Sequence, residues 1–434
     1  MINIDQEKLS QEVKQKYSVD NNTFFLTAKN DVKDKIEVEI GDSKQPEFLP
    51  QLKIKRWDNE VNLSIRLKEN DTENAIIKTE EKKIIWEKEK IKIEFEENSD
   101  ENFKLIWYLK SKPATNKIEF SMKSKELNFF YQPPLTEKYK TGYNDIFKRE
   151  IIVTETEVKD KNNKILVKRP EEVVGSFAIY HKTKGVMNRS DGKDYKVGEF
   201  GLILPPIITD SNGETAKGKI NIDLKNKIYS VEIPQEFLDK AVYPIKGNDV
   251  FGYVGKALTQ LTINDKINGT LGVCPESGTA DSITVKLRGW GSGEKVKCAL
   301  YDTSYNLITN GETEERDVGG AEGNYVFNFN APKPTLSAQN YWIVVWGDND
   351  VKCFYAFTMP ETIIYQYSEG YDGSFPSSLT SPSVFETYGI HIWVTYTPSG
   401  PTTEIKSING LAIADVKSIN GLAIADVKSR NGLA

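Results

Sequence analysis

Three cysteines, two histidines and four methionines in 434 residues leave the chain short of the side chains that most often do chemistry. Cys274, Cys298 and Cys353 are odd in number and show no Cys-x-x-Cys spacing. That argues against both a thiolate zinc site and a disulfide-stapled small domain. They read instead as free thiols in a β core. His181 and His391 each lie inside a strand-like run, away from any nucleophile elbow, and read as rings satisfied within a sheet. Positive charge is not in surplus either: 57 Lys and Arg against 63 Asp and Glu give a net charge of −6, which argues against nucleic acid as a general partner. No apolar run approaches the roughly 18 residues of a membrane span. The opening "MINIDQEKLSQEVKQKYS" has neither the basic n-region nor the apolar h-region of a secretory signal, so synthesis in a cytoplasm without membrane insertion is expected.

What is present is alternation. "KIEVEI" (35–40), "VNLSIRL" (61–67), "KIKIEFE" (90–96) and "NKIEFSM" (116–122) place apolar and polar residues on opposite faces, the pattern of antiparallel strands with one wet side. A short amphipathic helix is expected near residues 4–17, from the spacing of Ile4, Leu9 and Val13. The consecutive prolines of "FFYQPPLTEKYKTGYND" (129–145) mark a boundary, because proline cannot donate to a ladder. Strands then resume, with turns at "DKNNK", "RSDGK" and "DSNGE". "IPQEFLDKAVYP" (233–244) reads as a helical turn, and "GNDVFGYVG" (247–255) reads as a hinge. From about residue 258 Lys and Glu thin out and Gly, Ser, Thr, Tyr and Trp increase, at the strand spacing of a sandwich or jelly roll. The expected fold is therefore all-β. Tandem antiparallel β-sandwich or jelly-roll domains occupy 21–132, 133–256 (which can be continuous with the first) and 257–398. A helical segment over 1–20 precedes them, and a linker with β repeats over 399–434 follows.

The phrases "EFLPQLKIKRWDNEVNLSIRL" (47–67), "NFFYQPPLT" (128–136), "VVGSFAIYHK" (173–182) and "EFLDKAVYPIKGNDVFGY" (236–253), together with the Asn-Gly-Leu-Ala tail, resemble virion and tail-associated proteins of tailed phages and prophages. The resemblance covers roughly the first 255 residues and, more loosely, the aromatic region. It implies a structural or host-contact role and carries no catalytic residues with it. Relatives of this kind often have Asp-Pro-Thr before the Phe-Gly-Tyr, where this chain has Asn248, Asp249 and Val250.

No motif for a cofactor or metal stands out. "DSNG" (210–213) starts like a calcium loop, but Asn221 stands where a bidentate Glu should close it and strands flank it, so it reads as a hairpin turn. The glycines of "GWGSGEK" (289–295) lead into no helix and make no phosphate site. A glycan site is the better candidate: Trp290, Trp342 and Trp346 offer flat apolar faces, and Asp348, Asn349 and Asp350 offer hydrogen bonds to hydroxyls. Trp342 and Trp346 share one sheet face, which core packing also produces. Trp290, between glycines, is the one expected in solvent.

The unit "KSINGLAIADV" runs over 406–416 and again over 417–427. An eleven-residue period fits a right-handed coiled coil, but Gly410 and Gly421 cost a helix about 1 kcal/mol each relative to Ala. Asn-Gly instead favours the tight turn of a hairpin. Two short β units cannot bury Ile408, Leu411, Ile413, Val416, Ile419, Leu422, Ile424 and Val427 alone. With Asn409, Gly410, Asn420 and Gly421 making the turns, these residues are expected to join identical chains, most simply as a trimer. A tail that orders only on a partner is the alternative. The functional expectation is a non-enzymatic virion component, a tail or fibre protein acting in the particle or an extracellular appendage. Its expected partners are itself, other virion proteins and a cell-surface glycan. A soluble glycan-binding adhesin and a polysaccharide-degrading enzyme stand second and third.

Overall fold

The computed structural model describes residues 4–434 except 28–35, 69–74, 100–101, 145–148, 253–258, 264–265, 290, 292, 349–350, 358–362, 369, 381–382, 387, 400–406, 409–410, 413–417, 420–421 and 424–434. Among the described residues the strands form four large sheets of eight, ten, twelve and seven strands, here I to IV, and two separate two-stranded ladders. Nearly every pairing is antiparallel. The expected all-β class is what the chain adopts.

The alternating runs found in sequence become strands Ile36–Gly41, Val61–Leu67, Ile91–Ser99 and Lys117–Lys125. Their apolar faces meet in one core. Val38, Ile40, Leu63, Ile65 and Phe120 of sheet I pack on Trp86, Ile93, Phe95, Leu105 and Trp107 of sheet II. Each such side chain contributes about 1.5–3 kcal/mol on burial, and the polar alternates pair with one another on the opposite face, as Glu39 does with Lys53 and Lys55.

Segment 133–256 makes no sheet of its own. Strands Phe177–His181, Glu199–Leu204 and Ile245–Gly252 complete sheet II, while Lys219–Asp223 and Ile228–Glu232 complete sheet I. By contrast Gly142–Asn144, Arg149–Val153, Glu157–Asp160 and Ile165–Lys168 join sheet III with the C-terminal strands. Pro133 and Pro134 do mark a crossing, from sheet II into sheet III, but the chain crosses back. Residues 247–252 are not a hinge. They belong to a strand paired along its length with Asn102–Leu109, and glycine at 247 has a packing reason: a Cβ there would meet the Trp107 ring at 2.0 Å.

The expected N-terminal helix is shorter than its apolar spacing suggested. A 3-10 turn, Gln6–Lys8, precedes helix Gln11–Lys16 because Ser10 caps the latter, its hydroxyl accepting from Val13 N at 3.4 Å. The helical turn expected after Ile233 is Gln235–Lys240. No helix among the described residues is long and apolar enough to cross a membrane.

The second sandwich packs sheet III on sheet IV, with Ile283, Val285 and Leu287 meeting Cys298, Leu300, Ile343 and Val345. All three cysteines are free and buried there. Phe130, Ala178, Tyr180 and Leu202, on the other face of sheet II, belong to this same cluster. Sheet II is thus covered on both faces, and the layers follow in the order I, II, III, IV.

Candidate functional site

On strand Asn340–Gly347 the side chains divide between two faces. Tyr341, Ile343 and Val345 point to sheet III, whereas Trp342, Val344 and Trp346 point away from it. That outer face would be an open aromatic platform but for residues 370–379, which lie across it. Trp342 is 4% exposed and Trp346 2%. Trp346 packs edge-on to Tyr371 at 5.1 Å and against Phe375 at 5.4 Å, and Trp342 stacks on Tyr305 at 5.9 Å. The strap is tied down by backbone and side-chain bonds. Tyr301 donates to Pro376 O (2.7 Å), Lys297 to Gly373 O (2.9 Å), and Tyr371 to Glu315 (2.7 Å). Leu379 N donates to Tyr305 O at 3.0 Å. The two tryptophans are therefore the core of a small layer beneath the strap.

Asp348 is occupied structurally. Its Oδ1 accepts from Lys295 N at 2.7 Å and its own N–H donates to Lys295 O at 3.0 Å, closing the end of the ladder between Glu294–Tyr301 and Asn340–Gly347. Trp290, Asn349 and Asp350 lie outside the described residues. At "DSNG", Asp210 Oδ1 accepts from the N–H groups of Asn212 and Glu214, both at 2.9 Å, so the segment is the hairpin turn expected.

Both histidines stand where sheets I, II and III meet, an arrangement with no local sequence signal. His391 Nε2 lies 3.3 Å from Tyr180 Oη and 3.5 Å from Glu199, with Lys286 nearby. Burial, then the charges of Lys286 and Lys196, push the His391 ring down to about 3, so it is neutral at physiological pH. Burial raises Glu199 above the usual carboxylate range, against the pull of Lys286, Arg56 and Lys196. The Arg56 guanidinium donates to Glu199 O (2.6 Å) and Phe200 O (3.1 Å), fastening sheet I to sheet II.

His181 accepts at Nδ1 from the N–H groups of Thr183 and Lys184, both at 3.1 Å, which leaves Nε2–H to donate to Glu60 at 3.2 Å. Tyr195 donates to the other Glu60 oxygen at 2.6 Å. Burial opposes the Glu60 charge, but Tyr195, His181 and Lys193 outweigh it and hold the carboxyl below its ordinary range. Glu60 closes a hairpin turn in which Trp57, Asp58 and Asn59 all have φ between 52° and 61°, a costly conformation for a bulky residue. Neighbours hold it in place. Trp57 Nε1 donates to Asp194 O (3.1 Å), Lys193 donates to Trp57 O (2.8 Å), and the indole packs on His181 and Tyr195. The loop it grips runs from sheet II into sheet III, where Met187–Arg189 pairs in parallel with Ile392–Pro398, and back. The two histidine clusters clasp the sandwiches together. Among the described residues no Ser or Cys side chain is hydrogen-bonded to either imidazole, and no group of three or more His, Cys, Asp and Glu is arranged to hold a metal ion.

In the tail, Ile408 pairs directly with Leu411 and Ser407 with Ala412, and Ile419 pairs with Leu422 and Ser418 with Ala423. Each repeat is a two-stranded ladder with Asn-Gly between its strands, and neither ladder joins a large sheet. Ile408, Leu411, Ile419 and Leu422 are thus brought together in pairs, and the ladders recruit Ser407, Ala412, Ser418 and Ala423, which apolar content alone did not single out. Asn409, Gly410, Ile413, Val416, Asn420, Gly421, Ile424 and Val427 lie outside the described residues. Comparison with protein-family models and with curated proteins finds no match to this chain.

Proposed function

We propose that this chain is a structural component of a virus particle or similar appendage, of the tail or fibre kind, and that its C-terminal hairpins join it to further copies. The observation that carries this reading is the pair of tail ladders, each two residue pairs long and separate from the four large sheets. An isolated two-stranded ladder is marginal in water at best, and three or more strands or a packed partner are needed to hold it. Identical chains supply such partners at no cost in new sequence, because symmetry lets one unit serve every subunit.

The remainder of the molecule suits a load-bearing role. Three buried clusters span the four sheets, a strap covers the outer aromatic face, and polar residues at the sheet junctions serve as ties. Glycan contact and hydrolysis have less support: Trp342, Trp346 and Asp348 are committed to the fold. The test is purification of particles from the producing host by density gradient, followed by quantitative mass spectrometry. The chain is expected at fixed stoichiometry with the other particle proteins through successive purification steps. Loss of the chain in the first wash would reject the reading.

A further inference from the structure

Strands Glu199–Leu204 and Ile245–Gly252 floor a cleft of about 530 Å³ on the face of sheet II turned away from sheet I, at a part of it left open, inside the range of about 300–1,000 Å³ usual for small-ligand sites. Ile245 and Gly247 face the core of the first sandwich, so the alternation of the strand turns Lys246, Asn248 and Val250 outward into the cleft. The 3-10 turn Glu171–Val173 and the hairpin carrying Ile207 form its walls.

Four of the ten lining residues are apolar and six are polar, and the charges among them cancel. Leu204, Pro205, Ile207 and Val250 make the apolar side, and Ile207 is 54% exposed, more than its neighbours in the sheet explain. Lys217 spends its ammonium on the carbonyls of Glu171 (3.2 Å) and Val174 (2.9 Å), which fixes one wall. Lys246 is exposed, and its ammonium has no ion-pair or hydrogen-bond partner among the described residues. The amide oxygen of Asn248 is buried in the floor and makes no hydrogen bond among the described residues. An acceptor of this kind calls for a donor from outside the fold, and Asn248 lines the cleft.

We propose that this cleft binds a short uncharged saccharide. Two lysines and two glutamates line it, so a net anion or cation gains little there. A hydroxyl both donates and accepts, so one class of ligand answers Asn248, Lys246 and the Glu171 carboxylate together. The C–H face of a sugar ring covers the apolar side formed by Pro205 and Ile207. The site is separate from the tail, and it stands or falls independently of the assembly role.

Saturation-transfer NMR on the full chain tests this, with maltose and N,N′-diacetylchitobiose as probes and glucuronate and glucose 1-phosphate as charged controls. At least one neutral disaccharide should receive saturation at millimolar concentration. Lys246→Ala and Ile207→Asp, both at exposed positions, should each weaken that binding by roughly tenfold, about 1.4 kcal/mol, with melting curves matching the parent. Transfer only to glucuronate or glucose 1-phosphate would make the cleft an anion site and overturn the proposal. So would silence from both neutral probes, or binding that neither variant weakens.

Discussion

His391 shows how a single buried ring can set the acid sensitivity of the whole stack. Its folded pKa is pushed down to about 3, from an ordinary value of 6.5, so between those limits the unfolded chain binds a proton that the folded chain does not. Stability is full above about 6.5 and is lost as pH falls through that window, by up to about 1.4 kcal/mol per pH unit for one proton. Glu199 has the opposite sign. Its raised folded pKa means that the fold takes up a proton before the unfolded chain does, so acidification favours the fold at that residue. His391→Gln removes the first contribution and keeps the second. Urea titrations from pH 7 to pH 4.5 should show a smaller loss of stability in the variant than in the parent, and parallel curves would show that His391 does not titrate on unfolding. The expected strand setting holds for His181, at the end of Phe177–His181, whereas His391 is the bend between Tyr388–Ile390 and Ile392–Pro398. Reading the sequence had no means of joining residues 180, 199, 286 and 391, and the only hint was a charged or ring nitrogen residue inside runs as apolar as "EFGLIL" and "IHIWVTYT".

At the scale of elements, period-two alternation was legible wherever one sheet face is wet, and Val61–Leu67 was located to the residue. The signal fails where glycine stands inside a strand. The stretch 247–255 read as a hinge, whereas Ile245–Gly252 is a strand in which Gly247 leaves room for Trp107, a reason that lies 140 positions away in the chain. The strap over sheet IV was likewise hidden, since "YDGSFPSSLTS" has the composition of an ordinary loop. Its effect is to turn an apparent binding platform into a packed layer, and that makes a direct prediction. Trp346→Ala should destabilise the protein by about 3–5 kcal/mol, as removal of a buried large aromatic does, measured by chemical denaturation. A change within experimental error would mean that the strap stands open in solution and the tryptophan is free to meet a ligand.

For the molecule as a whole, the number of cores was harder to read than their composition. The chain passes from sheet II to sheet III near Pro133, returns, lends Met187–Arg189 to sheet III, and returns again, so consecutive sequence does not correspond to consecutive domains. Turns and prolines mark where the chain bends and say nothing of which sheet it enters next. The tail was the most legible part, because Asn-Gly between apolar residues specifies a hairpin locally, and the pairings Ile408 with Leu411 and Ile419 with Leu422 have that register. From it follows the central claim, that these hairpins bind copies of the chain to one another. Sedimentation velocity of the full chain beside a chain ending at residue 403 measures this most directly. The full chain should sediment as an oligomer, with three copies favoured, and the shortened chain as a folded monomer with an unchanged far-ultraviolet spectrum. Equal association states for the two at micromolar concentration would contradict the account.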